Sequence, residues 1–318
     1  LHPILHSFPT RRSSDLTNST VSDNTANIAG GIFSTGAVTL TNSTVSSNAA
    51  IDGGGIVGNT VTVTNSTVSD NTVTNNGGGI FSSGVVTLTN STVSGNRANT
   101  NGGGIASTGT VTLTNSTVSS NTANLGGGIF SSEAVTLTNS TVSSNTANLG
   151  GGILSAEAVT LTNSTVSGNT ANTNGGGIVG NNGGTITNST ITNNTVNIGG
   201  VGGIFRLGGI FTIANSVIAG NFDRGLQALD LGSTVAGVGF TNGGNNLIGA
   251  NNGFAATFPN SSLVGTIANP VNPQLAPLAN YGGVTLTHAL LPNSPALNAG
   301  NNANAPVGND QRGATRIF

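Results

Sequence analysis

The stretch Ala123-Asn-Leu-Gly-Gly-Gly-Ile-Phe-Ser-Ser-Glu-Ala-Val-Thr-Leu-Thr-Asn-Ser-Thr-Val-Ser-Ser-Asn145 decides the fold of this chain, because it recurs with small changes from about residue 17 to residue 221. The isoleucine after the glycine run marks each copy. Successive copies are separated by 24 to 26 residues, at Ile32, Ile56, Ile80, Ile105, Ile129, Ile153, Ile178 and Ile204. A repeat of this length is typical of a solenoid, in which each unit stacks on the next.

Two asparagines recur in every unit at a fixed separation of six residues, with one aliphatic residue between them. In the quoted unit they are Asn139 and Asn145, and Val142 lies between them. An asparagine at the same turn of each unit can pass an amide hydrogen bond to its counterpart in the next unit. We therefore expect two asparagine ladders, one through Asn42, Asn65, Asn90, Asn115, Asn139, Asn163 and Asn188, and one through Asn48, Asn71, Asn96, Asn121, Asn145, Asn169 and Asn194.

Within the unit, Val135-Thr-Leu-Thr-Asn139 alternates apolar and polar residues, which is the periodicity of a β-strand. Short strands are expected near residues 128–131, 135–138 and 141–144, and the glycine run is expected to supply positive φ at a corner. No window has the apolar spacing that an amphipathic helix needs. The pattern predicts an all-β fold: a right-handed, single-stranded parallel β-helix of about nine coils of 23–27 residues, with an irregular C-terminal cap or tail.

The composition restricts the partners and the chemistry of the chain. Glycine accounts for 50 of 318 residues, only 5% of residues are charged, and the formal net charge is −2. There is no basic stripe of the kind that binds nucleic acid, no cysteine for disulfides or thiolate metal sites, and no apolar run near the roughly 18 residues of a membrane span. The sequence predicts no nucleic-acid partner, no transmembrane segment in this fragment and no cofactor, and it does not specify an oligomeric state.

The chain divides into four segments on these patterns. His6-Ser-Phe-Pro-Thr-Arg-Arg-Ser-Ser-Asp-Leu16 resembles the translation of a widely used sequencing adapter, so residues 1–16 are expected to be non-native and the true N-terminus to be missing. Residues 17–221 are the regular repeats, and residues 222–268 an irregular continuation of the β-helix. Residues 269–318 hold six of the nine prolines and are expected to form a cap or tail that protects an open β edge.

Two resemblances rest on these motifs. The Gly-Gly-Ile element that follows Val-Ser-Ser-Asn is similar to the repeats of chlamydial polymorphic outer-membrane proteins and related bacterial β-helix surface proteins, although Val142 stands where that family has phenylalanine. The later part of the chain resembles the C-terminal region of bacterial choice-of-anchor Q domain proteins, through Asn246-Leu-Ile-Gly249, Asn272-Pro-Gln-Leu-Ala-Pro-Leu278, Thr287-His-Ala-Leu-Leu-Pro-Asn-Ser-Pro-Ala296 and Asp310-Gln-Arg-Gly313. Together they imply a bacterial protein that is secreted or displayed at the cell surface, with a truncated anchor region.

The acidic residues beyond the first segment form no cluster within one unit. Asp23 and Asp70 share a repeat position but are two units apart, which suits neither metal ligation nor a close catalytic pair. Glu133 and Glu157 occupy the same turn in adjacent units and are weak metal candidates, since carboxylates about 5 Å apart in water repel by only about 0.8 kcal/mol and require no ion. For His288, a structural role is favoured over a catalytic one. The sequence predicts no catalytic residue and no metal site.

One surface pattern is a candidate for binding. The outward positions of the middle strand are nearly all threonine, as at Thr87, Thr89, Thr112, Thr114, Thr136, Thr138, Thr160 and Thr162. Threonine is a good exposed β-former, but such Thr-x-Thr arrays also resemble the ice-contacting faces of some β-helical antifreeze proteins.

The functional prediction that follows is a non-enzymatic adhesive or structural stalk, extracellular or at the cell surface, with a polysaccharide or another cell surface as its partner. Two alternatives stay open: a polysaccharide lyase or hydrolase of the pectin-lyase-like class, for which clustered acids are missing, and ice binding through the Thr-x-Thr face.

Overall fold

The computed structural model describes residues 13–224, 227, 229–304 and 309–315. In this part of the chain the fold is a right-handed parallel β-helix of about nine turns with essentially no helix, as the repeat predicts. The described residues contain a single short 3-10 helix, Asn302–Asn304. Most of the predicted foreign segment lies outside the described residues, and its last residues join Thr17 in the first strand of the solenoid.

Each turn contributes one strand to each of three long parallel sheets. The isoleucine sheet has nine strands: Ile32–Phe33, Ile56–Gly58, Ile80–Ser82, Ile105–Ser107, Ile129–Ser131, Ile153–Ser155, Ile178–Gly180, Ile204–Arg206 and Leu231–Ser233. The threonine sheet has ten strands: Ser13–Thr17, Ala37–Thr41, Thr60–Thr64, Val86–Thr89, Val111–Thr114, Val135–Thr138, Val159–Thr162, Gly184–Thr187, Phe211–Ala214 and Phe240–Asn242.

The valine sheet also has ten strands: Thr20–Ser22, Thr44–Ser46, Thr67–Ser69, Thr92–Ser94, Thr117–Ser119, Thr141–Ser143, Thr165–Ser167, Thr190–Thr192, Val217–Ala219 and Leu247–Ile248. A fourth short strand, not expected from the repeat, pairs in two smaller sheets. One contains Ala49–Ala50, Thr72–Val73 and Arg97–Ala98, and the other Thr146–Leu149, Thr170–Asn174, Thr195–Val196 and Phe222–Asp223. The segment 222–268 therefore adds a further coil to all three long sheets.

The strands pair in register, so that equivalent residues of successive copies lie directly above one another. Val111 pairs with Val135 and then Val159, for example, and Ile105 pairs with Ile129. The inward-facing Val, Leu, Ile and Phe side chains of all three sheets are buried in one continuous core. Because side chains alternate sides along a strand, this inward series forces the intervening threonines outward.

Three corner positions have a left-handed backbone in most coils. They are the first asparagine (Asn115, φ 51), the residue before the second asparagine (Ser120, φ 57) and the first glycine of the run (Gly126, φ 60). The prediction for the glycine run is therefore correct for its first residue. The next glycine is needed for a different reason, because a Cβ on Gly127 would lie 2.5 Å from the carbonyl oxygen of Gly151 in the next coil.

The second asparagine column forms a continuous buried ladder, which confirms the prediction. At each step, Oδ1 of one asparagine accepts both the backbone N–H and the side-chain amide of the asparagine in the preceding coil. For Asn121 and Asn145 these distances are 2.9 and 2.9 Å, and Nδ2 of Asn121 also donates to the carbonyl of Val93. The ladder satisfies polar groups at a corner that is otherwise closed to water.

The first asparagine column is more exposed and less continuous. Side-chain amide bonds link Asn42, Asn65, Asn90 and Asn115 at 3.1–3.3 Å, and another links Asn188 and Asn215. Nδ2 of Asn163 instead donates to the carbonyl of Asn309, and Oδ1 of Asn139 is buried without a partner in the described part of the chain. The left-handed backbone accounts for asparagine here more directly than the ladder does.

A third column, of serine, is a buried ladder that the sequence pattern did not predict. The backbone N–H of each serine after the first asparagine donates to the hydroxyl of the next copy, as between Ser116 and Ser140 at 3.1 Å. That hydroxyl in turn donates to the carbonyl two residues earlier, as from Ser140 to Thr138 at 2.8 Å. The recurring Asn-Ser-Thr triplet is thus explained by corner hydrogen bonding.

Both buried ladders end on a different residue at the C-terminal end of the solenoid. The serine ladder ends on Asn246, whose Oδ1 accepts the N–H of Ser216. The asparagine ladder ends on Asp230, which is fully buried. Its Oδ1 accepts two bonds from Asn221, at 3.0 and 2.8 Å, and its Oδ2 accepts the N–H of Ala250 at 2.7 Å. An asparagine at this position would turn an N–H donor toward Ala250, whereas a carboxyl group has two oxygens that can accept, so an aspartate ends the ladder.

Stability should depend on pH through Asp230. Burial raises the pKa of Asp230 to about 7, and the hydrogen bonds from Asn221 and Ala250 oppose this effect without cancelling it. The folded state then holds the proton more tightly than the unfolded chain, whose aspartate titrates near 3.8. The free energy of unfolding is therefore expected to fall, by a few kcal/mol at about 1.4 kcal/mol per pH unit, as pH rises from about 4 to about 7, and to level off above.

Urea unfolding of the chain and of Asp230→Asn across this pH range checks the prediction. Burial lowers the pKa of His288, so this histidine makes the free energy of unfolding rise with pH in both proteins. Subtracting the free energy of unfolding of Asp230→Asn from that of the unmodified chain therefore isolates the contribution of Asp230. If the difference in free energy of unfolding between the two proteins did not change with pH, Asp230 would have an ordinary pKa.

At the C-terminal end of the solenoid, aromatic and aliphatic side chains cover the core. The ring of Phe240 stacks on that of Phe211 and meets Phe254 edge to face, with centroids 6.1 and 4.8 Å apart. Phe258 and Val264 extend the same core. The rest of the chain, called the tail here (272–304 and 309–315), runs back along the outside of the valine sheet.

Candidate functional site

The threonine sheet presents two straight columns of outward threonines. Strand register places the members of each column directly above one another. One column contains Thr39, Thr62, Thr87, Thr112, Thr136, Thr160, Thr185 and Thr212, and the other Thr41, Thr64, Thr89, Thr114, Thr138, Thr162 and Thr187. The eight threonines singled out from the sequence lie in the central four coils of this array.

The array is regular in two directions. Neighbouring strands lie about 4.8 Å apart, and alternate residues of one strand about 6.7 Å apart. All eight predicted threonines are half-buried, because neighbouring threonines cover part of each side chain. Among the described residues, no hydrogen bond within the chain uses the hydroxyl of any of the eight. The face therefore offers a grid of hydroxyl and methyl groups on a rigid sheet.

The tail leaves this face open and covers the valine sheet instead. Thr165 donates to Oε1 of Gln311 at 2.8 Å and lies 2.9 Å from the hydroxyl of Thr287. Thr141 donates to the carbonyl of Leu286, and the amide of Gln311 donates back to the Thr141 hydroxyl at 2.9 Å. The same amide also donates a hydrogen bond to the hydroxyl of Thr285 at 3.0 Å. Gln311 is thus the centre of the tail contact.

His288 has a structural position in this contact. A carbonyl can only accept, so Nδ1–H of His288 donates to Ala276 at 2.7 Å and Nε2 accepts the hydroxyl of Ser167 at 2.8 Å. Burial lowers the pKa of His288, and the bond to Ala276 only partly offsets this effect. The neutral imidazole fixes the tail to the solenoid.

Asp310 and Arg312 form an ion pair at the edge of the tail. Nε of Arg312 donates to Oδ2 of Asp310 at 2.8 Å, and Oδ1 of Asp310 accepts the backbone N–H groups of Arg312 and Ala314. Burial would raise the pKa of Asp310, but the hydrogen bond and charge of Arg312 outweigh it and hold the pKa below its usual value. The pair therefore stays ionised at neutral pH.

The acidic residues considered from the sequence lie at separate turns. Asp23 and Asp70 occupy the left-handed position before the second asparagine, with φ 59 and 56, where other coils have serine, glycine or asparagine. Glu133 is exposed, and Oε2 of Glu157 accepts the amide of Asn182 in the next coil at 2.7 Å. Within residues 13–224, 227, 229–304 and 309–315, no three His, Cys, Asp or Glu side chains group closely enough to hold a metal ion.

Two further findings bear on function. No helix in the described ranges is long and apolar enough to cross a membrane. No protein-family model, curated protein or solved structure matches the chain. The two resemblances drawn from the motifs therefore stay predictions.

Proposed function

We propose that this chain is the rod of a non-enzymatic bacterial protein, secreted or displayed at the cell surface, whose threonine sheet adheres to an extended polysaccharide or to another cell surface. The observation that supports the proposal most is the uncovered double column of threonines. Its hydroxyls have no partner within the described chain, and the tail binds a different sheet.

The chemistry of the face favours a neutral, extended ligand. A grid of hydroxyl and methyl groups can exchange hydrogen bonds with sugar hydroxyls while its methyl groups contact sugar C–H faces. Each contact is weak, but a rigid array loses little conformational entropy on binding and can make many contacts at once. The low charge of the chain, 5% of residues, removes electrostatic steering as the source of affinity.

Three arginines on the threonine sheet should weaken adhesion. We expect the triple variant Thr112→Arg, Thr138→Arg and Thr162→Arg to bind insoluble neutral polysaccharides or whole cells at least about ten-fold less than the unmodified chain, because long side chains hold a flat ligand off the sheet. The measurement is a sedimentation binding curve on cellulose, chitin and cell-wall preparations.

The matched control carries the same three arginines on the valine sheet, at Thr44, Thr67 and Thr92. It has the same net charge, its three threonines are likewise half-buried and lie in three successive coils, and it should bind normally. Equal loss in both triple variants would contradict the assignment of adhesion to the threonine sheet. Turnover of pectin, alginate or another polyuronide by the purified chain, lost on substituting Asp23, Asp70, Glu133 or Glu157, would replace this proposal with the enzymatic alternative.

Ice is a second candidate ligand for the same face. The regular spacing of the array in two directions, about 4.8 by 6.7 Å, is the observation that favours it, since only a periodic surface can engage a crystal at many points. Ice binding predicts thermal hysteresis that disappears when Thr112, Thr138 and Thr162 are made bulky. An unmodified chain without hysteresis would end this candidate and leave adhesion untouched.

A further inference from the structure

A groove separates the tail from the last coils of the solenoid, away from the threonine sheet. Its volume is about 410 Å³, and residues of both the solenoid and the tail line it, among them Thr190, Val217, Leu297, Asp310 and Arg312. We propose that this groove binds a single neutral sugar residue, such as a hexose or an N-acetylhexosamine.

The groove exists because the tail bridges part of the valine sheet instead of contacting it. Over the two preceding coils, the tail lies directly on Thr141 and Thr165 and buries both. At the next coil the equivalent residue, Thr190, is only half-buried and lines the groove. The repeat position is the same in all three coils, so the change comes from the path of the tail.

Hydrogen bonds hold both sides of the groove in place. On one side, His288 is held by Ser167 at 2.8 Å. On the other, Asn215 exchanges two bonds with the backbone of Asn301, at 2.8 and 3.0 Å, and Asn245 donates to the carbonyl of Ala299 at 2.8 Å. A groove fixed in this way is preformed, which reduces the entropy lost when a ligand binds.

The lining is suited to a sugar. Val217 and Leu297 offer apolar surface to the C–H face of a pyranose, and Thr190 offers a hydroxyl that can donate or accept. The Asp310–Arg312 pair supplies one acceptor and one donor group at the rim, where Nη1 of Arg312 takes no part in the bonds to Asp310. A volume of about 410 Å³ lies within the range of roughly 300–1,000 Å³ that is usual for ligand pockets.

The charges of the rim select against acidic sugars. Asp310 and Arg312 compensate each other, so the groove has no uncompensated cation for a carboxylate. A uronate would meet the ionised Asp310 carboxylate, and like charges at close range are unfavourable. A neutral, hydroxyl-rich ligand incurs no such penalty.

Titration of the full chain with methyl glycosides, followed by saturation-transfer NMR and calorimetry, tests the proposal. We expect saturable millimolar binding of at least one of the methyl glycosides of glucose, galactose and N-acetylglucosamine, and at least ten-fold weaker binding of galacturonate. Thr190→Trp, which fills the groove, should weaken sugar binding at least ten-fold. Thr92→Trp, the same repeat position on an uncovered coil, should leave it unchanged.

Leu297→Arg fills the groove from the tail side and should also weaken sugar binding. It serves as the test of the groove if Thr190→Trp disturbs the tail. The triple arginine variant of the threonine sheet should keep full sugar binding, which separates this site from the proposed adhesive face. Three results would overturn the inference: no saturable binding of any neutral glycoside, equal loss in Thr92→Trp and Thr190→Trp, or tighter binding of galacturonate.

Discussion

Replacing Asn121 by alanine is expected to lower the free energy of unfolding by roughly 3–5 kcal/mol, because the change breaks the buried ladder in the middle of the solenoid. Oδ1 of Asn121 accepts the backbone and side-chain N–H groups of Asn96, at 2.9 and 3.0 Å. Its Nδ2 donates to Val93 and Asn145. Alanine removes all four bonds and leaves the backbone N–H of Asn96 without a partner, at a corner where Asn121 is fully buried.

The matched control is Asn115→Gly in the same coil, measured by the same urea unfolding curves. Asn115 is on the exposed column and needs mainly its left-handed backbone, φ 51, which glycine adopts freely. We expect the control to cost less than about 1 kcal/mol. Similar losses for the two variants would show that the ladder bonds add little beyond the conformational preference of asparagine.

Gly127→Ala should be strongly destabilising, costing roughly 3 kcal/mol or more or preventing folding. The new Cβ would lie 2.5 Å from the carbonyl oxygens of both Gly151 and Thr146. Both atoms belong to the backbone of the next coil, so relief of the clash requires the coils to separate and lose their hydrogen bonds. Circular dichroism and urea unfolding measure the loss.

Gly168→Ala provides the control for glycine conformation alone. Gly168 has φ 66, but the nearest atom to an added Cβ is the hydroxyl oxygen of Ser144 at 3.8 Å. The expected cost is about 1 kcal/mol, from the left-handed backbone. Gly168→Asn should cost less, because Asn193 occupies the same corner with φ 55. If Gly127→Ala were as mild as Gly168→Ala, the coils would be less tightly packed than the structure indicates.

Most of the fold could be predicted from the sequence, because every copy of the repeat has the same strand alternation and the same turn residues. The predicted strand at 135–138 is Val135–Thr138 in the structure, and its neighbours are Ile129–Ser131 and Thr141–Ser143. The serine ladder was missed for a chemical reason. Serine is common at turns, so its recurrence after the first asparagine indicates a turn and does not by itself predict a buried hydrogen bond.

Of the candidate surfaces, the sequence could predict one and not the other. The threonine columns could be predicted because outward positions follow from strand alternation and from the step of the repeat. The tail contact could not, because Gln311 lies outside the repeat, 146 residues from Thr165, and Thr165 has an equivalent threonine in the neighbouring coils. The role of Asp230 was also missed, since it lies nine residues from Asn221 and outside the regular spacing of the ladder.

The sequence by itself determined the coil, the register of its strands and the threonine face, since each depends on local alternation and on a short repeat that stacks identical residues. Only the tertiary structure decided which sheet the tail covers. The valine sheet carries the same residues in coil after coil, so nothing in the repeat distinguishes Thr92 from Thr165. The path of the chain after the last coil makes that choice, and it buries Thr165, leaves the groove at Thr190 and keeps the threonine sheet free.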